Sequence, residues 1–205
     1  MNRDDIIRKV MLNLDEMVPE GLDDIIQQEP LPIYDQVDQL LDDCTNDILK
    51  TVPLQYCSTI ENVSLVYNKN YFVVPTGYLR FGSAMCSDWE SSVTRLVRPE
   101  YEPDLYKIIK NPIITKGIAN PYAAITTKVV EEDGVDTTKE VIELYNTEET
   151  STTLTYVKSC LAEDLDNRLV PALSWLCATK ILLITGRKEA EVANSTYNEQ
   201  IKLLL

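Results

Sequence analysis

Histidine, the side chain most often used for acid–base catalysis near neutral pH, does not occur in this sequence of 205 residues. Its absence removes the imidazole triads and the commonest metal ligand. Carboxylates are plentiful, and adjacent pairs such as Asp42/Asp43 and Glu131/Glu132 could in principle share acid and base roles. With 33 acidic residues in the chain, such pairs also arise by chance. They do not by themselves indicate a catalytic dyad.

The other residue patterns that carry chemistry are missing as well. There are only six glycines, and no GxxxxGK[ST], GxGxxG or GxSxG motif, so phosphate loops and nucleophile elbows are not predicted. The five cysteines are scattered without a CxxC pair, which is typical of free thiols in a reducing compartment. The sequence therefore predicts no enzyme, no metal site and no cofactor.

Net charge gives the first positive information. The formal charge is −14 and the isoelectric point is near 4.4, which disfavours nucleic-acid binding through a general basic surface. Residues 1–50 alone hold 13 acidic and 4 basic side chains. Such acidity either keeps a protein soluble or lines a passage in which DNA phosphates must not adhere.

Two blocks of opposite charge follow one another in the middle of the chain. Residues 106–128 contain no acid, and their lysines are Lys107, Lys110, Lys116 and Lys128. Residues 129–150 contain eight acids, Glu131, Glu132 and Asp133 among them, against Lys139 alone. Such blocks favour head-to-tail contacts between copies, or they are two unrelated surface loops.

Trp89 and one helix face are further candidates for contact with other molecules. Trp89 lies among serines and acids, so it is either an inward-packing residue or an aromatic interface anchor. Asp35, Asp38, Asp42, Asp43 and Asp47 share the polar face of a predicted helix. That face is either simply solvated or directed at an anionic lumen or a basic partner.

The elements that must position these residues form an α+β pattern. Apolar residues at intervals of three and four predict helices over about 3–17, 33–51, 161–185 and 187–204. The region between is rich in β-branched and aromatic residues, which predict strands. These strands lie near 63–67, 71–74, 93–97, 113–114, 122–130, 140–145 and 152–157. Asn68-Lys69-Asn70 predicts a hairpin, Pro99 to Pro103 a bend, and residues 19–32 a loop.

We therefore expect a helical bundle built from both ends of the chain, with a central antiparallel β insertion. The predicted helical body comprises residues 1–58 and 159–205, and the β-rich insertion comprises residues 59–158. No stretch approaches the about 18–20 apolar residues that a membrane span needs, so no membrane association is expected.

Two segments resemble the head-to-tail connector proteins of tailed bacteriophages, the portal adaptor or tail tubular protein A-like family. The first is YLRFGSAMCSDWESSVTRLVRPEYEPDLYKIIKNPIITKGIANPY, residues 78–122. Its order of features is similar to that of the family: Tyr78-Leu79-Arg80, Trp89 with Val93, Tyr101-Glu102-Pro103, Gly117 and Pro121. The second is LVPALSWLCATKILLITGRKEAEVANSTYNEQIKLL, residues 169–204. It resembles the closing helical hairpin of the family, with Pro171-Ala172-Leu173, Ala178 and Tyr197.

The resemblance implies a structural virion protein that forms a twelvefold homo-oligomeric ring at the portal–tail junction. Its partners would be its own copies, the portal protein and a tail or second ring protein, with DNA passing through the lumen without specific binding. Such a protein would be made in the host cytoplasm. The alternative from the residues alone is an acidic cytosolic binding module that sequesters a basic partner.

Overall fold

Helices and strands are segregated along this chain, as they are in α+β proteins. The computed structural model describes residues 1–17, 33–57, 59–66, 70–111, 121–132 and 134–204. Internal contacts divide it into a helical unit, residues 1–59 and 159–205, and a β unit, residues 60–158. The α+β fold class predicted from the sequence is confirmed. The predicted loop at 19–32 and the predicted strand at 113–114 lie outside the described residues.

Five α-helices occur in the described ranges. They are α1 (Arg3–Met17), α2 (Ile33–Thr51), α3 (Pro103–Ile109), α4 (Val170–Ile184) and α5 (Ala190–Lys202), of which α3 alone belongs to the β unit. Within the helical unit, α4 contacts α1, α2 and α5. Leu173, Cys177 and Ile181 of α4 are fully buried. The most apolar helix is therefore the centre around which the other three pack.

The start of α4 differs from the predicted helix over 161–185. Two 3₁₀ turns, Ala162–Asp164 and Asn167–Leu169, precede it, and the Asp166 side chain accepts a hydrogen bond from the Arg168 backbone N–H. Pro171 then lies in the first turn of the helix, where its missing N–H costs nothing. At the other end, the Gly186 and Arg187 N–H groups donate to the Leu183 and Leu182 carbonyls. This pattern and the φ of 67° at Gly186 form a Schellman cap, which ends α4 at Ile184, close to the predicted helix end at 185.

One segment has the length and composition of a membrane span, contrary to the sequence-based expectation. Among the described residues it is Asn167–Ile184, and 56% of it is buried inside the protein. The central helix of a soluble bundle has the same properties, because it must be apolar on most of its circumference.

The β unit contains two sheets. The strands are β1 (Ile60–Val66), β2 (Tyr71–Val73), β3 (Tyr78–Met85), β4 (Leu96–Val97), β5 (Tyr122–Glu132), β6 (Val135–Tyr145) and β7 (Ser151–Lys158). Their orders are β1-β7-β3 and β2-β6-β5-β4. All pairs are antiparallel except β4–β5, which is parallel. The expected purely antiparallel insertion is therefore corrected to a mixed one.

The hairpin predicted at Asn68-Lys69-Asn70 is wrong. β1 pairs with β7 and β2 pairs with β6, so the two strands flanking that segment belong to different sheets. Asn70 does adopt the left-handed conformation, with φ of 56°. Phe72 of β2 lies opposite Ile142 of β6, and both are buried. Burial of apolar side chains, rather than the turn-forming residues between the two strands, thus chose the pairing partners.

Two other predictions for this region were partly wrong. The strand expected over 93–97 is reduced to β4, and Val93 forms only an isolated bridge with Ala84. The bend expected at Pro99 to Pro103 leads directly into α3, with Pro103 in its first turn. The strands expected over 122–130 and 140–145 are present but longer, and they form a hairpin, with Glu132 opposite Val135 and Gly134 at φ of 79°.

Candidate assembly surfaces

Trp89 lies in the core of the β unit. Its side chain is 4% exposed and packs among buried residues that include Phe72, Ile142 and Leu154. The indole Nε1–H donates a 2.9 Å hydrogen bond to the Asn146 carbonyl oxygen. Of its two predicted roles, the structure shows the inward one, because a buried ring offers no anchor to another molecule. We therefore remove Trp89 from the predicted contact surface.

The residue before Trp89 fixes the same loop. Asp88 accepts 2.9 Å hydrogen bonds from the Thr147 hydroxyl and from the Glu148 backbone N–H. The loop after β3 is thus joined to the loop after β6 by the ring N–H of Trp89 and the carboxylate of Asp88.

The described lysines of the basic block have three different environments. Lys107, on α3, is 77% exposed and lies 3.5 Å from Asp104, which is itself almost fully exposed. The Lys110 ammonium lies 4.5 Å from the centroid of the Tyr106 ring, and the Tyr106 hydroxyl raises the pKa of Lys110. Lys116 lies outside the described residues.

Lys128 of the basic block pairs with Glu143 of the acidic block inside one copy. The Lys128 Nζ is 2.5 Å from Glu143 Oε1. The hydroxyls of Tyr106 and Tyr145 donate to Glu143 Oε2 at 2.8 and 2.6 Å. Burial alone would raise the pKa of Glu143, but the bonds from Lys128 and the two tyrosines outweigh it, so the pKa is lowered. The carboxylate is 5% exposed and both its oxygens are occupied, which indicates a structural role.

The acids at the turn of β5 and β6 have no such internal role in the described residues. Glu131 and Asp136 are exposed and lie directly opposite each other in the strand register. Glu132 belongs to β5 by its backbone, and Asp133 lies outside the described residues. The predicted basic and acidic blocks therefore contribute one internal pair and two separate exposed groups.

The predicted acidic face of α2 also divides in two. The Arg3 guanidinium of α1 donates to Asp38 Oδ1 at 2.5 Å, to Asp42 Oδ1 at 2.8 Å and to the Asp38 carbonyl at 2.8 Å. Asp42 also accepts the Ala162 backbone N–H at 3.0 Å. Asp47 binds Lys180 at 2.6 Å. These three aspartates hold α2 against its neighbours. The predicted acidic face is therefore reduced to Asp35 and Asp43, which are exposed.

Each ion pair shifts the pKa of a member toward the charged form. The Asp42 hydrogen bond is the largest cause that raises the pKa of Arg3. Lys180 holds the pKa of the Asp47 carboxyl below its ordinary value. Nothing in the sequence indicated that the Arg3 side chain of α1 binds α2. Its proximity to Asp38 and Asp42 follows from the packing of the two apolar stripes, whose relative rotation periodicity does not specify.

Replacing Arg3 with alanine is expected to lower the free energy of unfolding by about 1–2 kcal/mol, between the values for exposed and buried ion pairs. The variant leaves Asp38 and Asp42 close together without their shared cation. Arg3→Lys should recover only part of the loss, because an ammonium cannot reproduce the forked geometry. Urea denaturation followed by circular dichroism measures the effect. Lys9→Ala, at an exposed position of the same helix, is the control and should change stability by less than about 0.5 kcal/mol.

Within the described ranges, no group of three or more cysteine, aspartate or glutamate residues is arranged to hold a metal ion. The depressions found there are open and shallow. One of about 110 Å³ is lined by residues that include Arg98, Tyr101, Thr126 and Glu140. Another is lined by Arg8, Met11, Leu12 and Asp15, all on α1.

No family model and no curated protein matches the sequence.

Large apolar side chains are exposed at several places instead. Near the junction of α4 and α5 they are Leu183, Ile184 and Val192, and Leu203 follows α5. In the β unit they include Val129, Val135, Tyr101 and Ile108. Where such side chains form a contiguous patch, they mark a surface that is buried in an assembly.

Proposed function

We propose that this chain is a non-enzymatic subunit of a phage head-to-tail connector, copies of which close into a ring between the portal and the tail. The observation that carries the proposal is the outer part of the β5–β6 hairpin, residues 127–132 and 134–140, which we call the arm. β4 pairs only with Ala123 and Ala124, and β2 only with residues 141–143. Beyond these positions, apart from a hydrogen bond from the Val74 N–H to the Glu140 carbonyl oxygen at its base, the arm is a two-stranded ribbon without a third strand among the described residues.

An isolated two-stranded ribbon is at best marginally stable in water. None of the described side chains of the arm is buried, so the ribbon gains little from the core of its own unit. A surface on another molecule would supply the missing burial. The exposed apolar residues of the helical unit add a second region with the same requirement.

Ring assembly also matches the resemblance of residues 78–122 and 169–204 to connector proteins. A ring requires heterologous contacts, in which one surface of a copy meets a different surface of the next. Partners of the ring would be the portal protein on one side and a tail or second ring protein on the other. The location would be the portal–tail junction of the virion, after synthesis in the host cytoplasm.

The lumen of the proposed ring would be acidic. With a net charge of −14, twelve copies would repel DNA phosphates, and DNA would pass without specific binding. Asp35 and Asp43, the exposed members of the predicted acidic face, are our candidates for the lumen wall.

One observation favours the connector over an acidic module that mimics nucleic acid. Mimicry requires acids spaced regularly over one exposed surface. On α2, however, Asp38, Asp42 and Asp47 are engaged by Arg3 and Lys180 within the helical unit. The exposed acids that remain on this helix are too few to form such a row.

The two functions are separated by light scattering of the purified protein, alone and with its cognate portal ring, together with a portal pull-down. The connector should either oligomerise alone or bind the portal ring in many copies. A protein that stays monomeric with the portal present, and is not retained by it, would contradict the proposal.

A further inference from the structure

The arm has two open edges whose backbone groups point away from the hairpin. In an antiparallel pair, residues alternate between those bonded to the partner strand and those whose N–H and C=O point outward. The Val74 N–H donates to the Glu140 carbonyl oxygen from the far side of β6, so Glu140 is an outward position. Counting by two along the register places Thr138 and Asp136 on the same edge, and Thr127, Val129 and Glu131 on the other.

The side chains near the tip of the arm combine negative charge with apolar surface. Glu131 and Asp136 face each other across the ladder, at a non-hydrogen-bonded pair, where the two side chains are closest. Like charges in this position destabilise a hairpin. Val129, two residues before Glu131 and on the same face of the ribbon, is 64% exposed, and Val135 is 61% exposed on the opposite face. A partner that supplies cations and an apolar surface would neutralise the repulsion between the two carboxylates and bury the exposed apolar surface.

The face of α3 has the complementary chemistry. Lys107 and Lys110 project from its last turn and its C-terminal end, in a stretch from 105 to 111 that has no acid. Ile108 and the preceding Tyr101 are exposed apolar residues. The Lys107–Asp104 contact does not occupy this surface strongly, because a pair so exposed contributes little.

The arm cannot reach this face within its own copy. Ile109 of α3 packs with Ala124 at the root of β5. Glu131 lies seven residues farther along the strand, which is about 23 Å at 3.3 Å per residue. Lys107 and Lys110 can therefore meet the tip of an arm only when that arm belongs to another copy.

We propose that the arm of one copy docks on the α3 face of the next copy, with Glu131 and Asp136 against Lys107 and Lys110, and Val129 against Ile108 and Tyr101. The contact joins two different surfaces, so its repetition generates a ring or a filament. This inference rests on the proposed connector function and specifies the contact between its subunits.

Charge reversal on each side tests the contact. The variants Glu131→Lys/Asp136→Lys and Lys107→Glu/Lys110→Glu should each weaken assembly by about tenfold or more, because like charges then face each other. In a mixture of the two variants, each contact between unlike copies is complementary again, because a reversed arm meets a reversed α3 face or an unmodified arm meets an unmodified face, whereas contacts between like copies still repel. The quadruple variant, in which every contact is complementary again, should therefore assemble like the unmodified protein. Assembly on the portal is measured by light scattering and mass photometry.

The control is Glu148→Lys/Glu149→Lys. It changes the net charge as the arm reversal does, but at positions outside the arm, and it should leave assembly unaltered. A second measurement is independent of charge. Val129→Cys and Ile108→Cys chains, mixed and oxidised during assembly, should give covalent dimers that neither variant forms alone. Assembly that survives both reversals, without cross-linked dimers, would overturn this contact while leaving the connector proposal intact. Failure of the unmodified protein to assemble would count against the connector proposal itself.

Discussion

Replacing Trp89 with alanine is expected to lower the free energy of unfolding of the β unit by about 3–5 kcal/mol, the range for large aromatic side chains removed from a core. The ring is among the residues of the main β-unit cluster, and surrounding side chains cannot close the space left by an indole. The variant also leaves the Asn146 carbonyl without its Nε1–H donor. Both effects act on the loops after β3 and β6.

Urea denaturation followed by far-ultraviolet circular dichroism measures this loss, and the fluorescence of Trp175 reports the helical unit in the same variant. Trp89→Phe is the matched control. It keeps most of the apolar volume but not the donor, so we expect a loss of about 1–3 kcal/mol. A Trp89→Ala protein within about 1 kcal/mol of the unmodified one would show that the ring contributes little to the core, contrary to its burial.

Replacing Glu143 with glutamine is expected to cost about 2–3 kcal/mol at pH 7, because a charged group in a buried hydrogen-bonded network is worth more than an exposed one. The amide cannot neutralise Lys128 and cannot accept from Tyr106, Tyr145 and Lys128 with both of its terminal atoms. Glu140→Gln, at an exposed position of the same strand, should change stability by less than about 0.5 kcal/mol.

The same carboxylate makes stability depend on pH in a defined direction. The pKa of Glu143 in the folded protein is below its ordinary value of 4.5. Its contribution is therefore fully present above that value and is lost as the pH falls through the folded pKa. Between neutral pH and acid, Glu143→Gln should lose less stability than the unmodified protein and than Glu140→Gln. Equal acid sensitivity in all three proteins would contradict the ion-paired state of Glu143.

Helix positions were predictable because they depend on local patterns. The stripe of Ile6, Ile7, Val10 and Leu14 is buried in α1, and Pro53 follows α2 within two residues of its end. Gly186 ends α4 because glycine, which has no side chain, adopts the left-handed conformation readily. This property can be recognised from the sequence. The hairpin of β5 and β6 was equally local, since its turn and both strands are adjacent in the chain.

Features that depend on distant residues were not predictable in the same way. The pairing of β1 with β7 joins residues about ninety positions apart, and an Asn-rich turn between β1 and β2 carries no information about it. α3 is only seven residues long, too short for an apolar periodicity to be recognised. Lys128 and Glu143 stood in blocks of opposite charge, but nothing in the sequence indicated that they meet inside one copy.

The arm illustrates the limit for the candidate site. The acids at its tip could be read from the sequence, but their exposure follows from where β2 and β4 end, and strand ends are set by tertiary packing. The basic residues Lys107 and Lys110 became a surface only once α3 was seen. Sequence reasoning thus identified the charges that we propose to meet across copies, whereas the structure supplied the reason why they cannot meet within one.

Electron cryo-microscopy of the purified protein bound to its cognate portal tests the connector assignment most directly. We expect a closed ring of this chain around the portal axis, twelvefold if it follows the family it resembles, with each arm in contact with the neighbouring copy. Portal particles that carry no additional ring density at saturating concentrations of this protein would contradict the account.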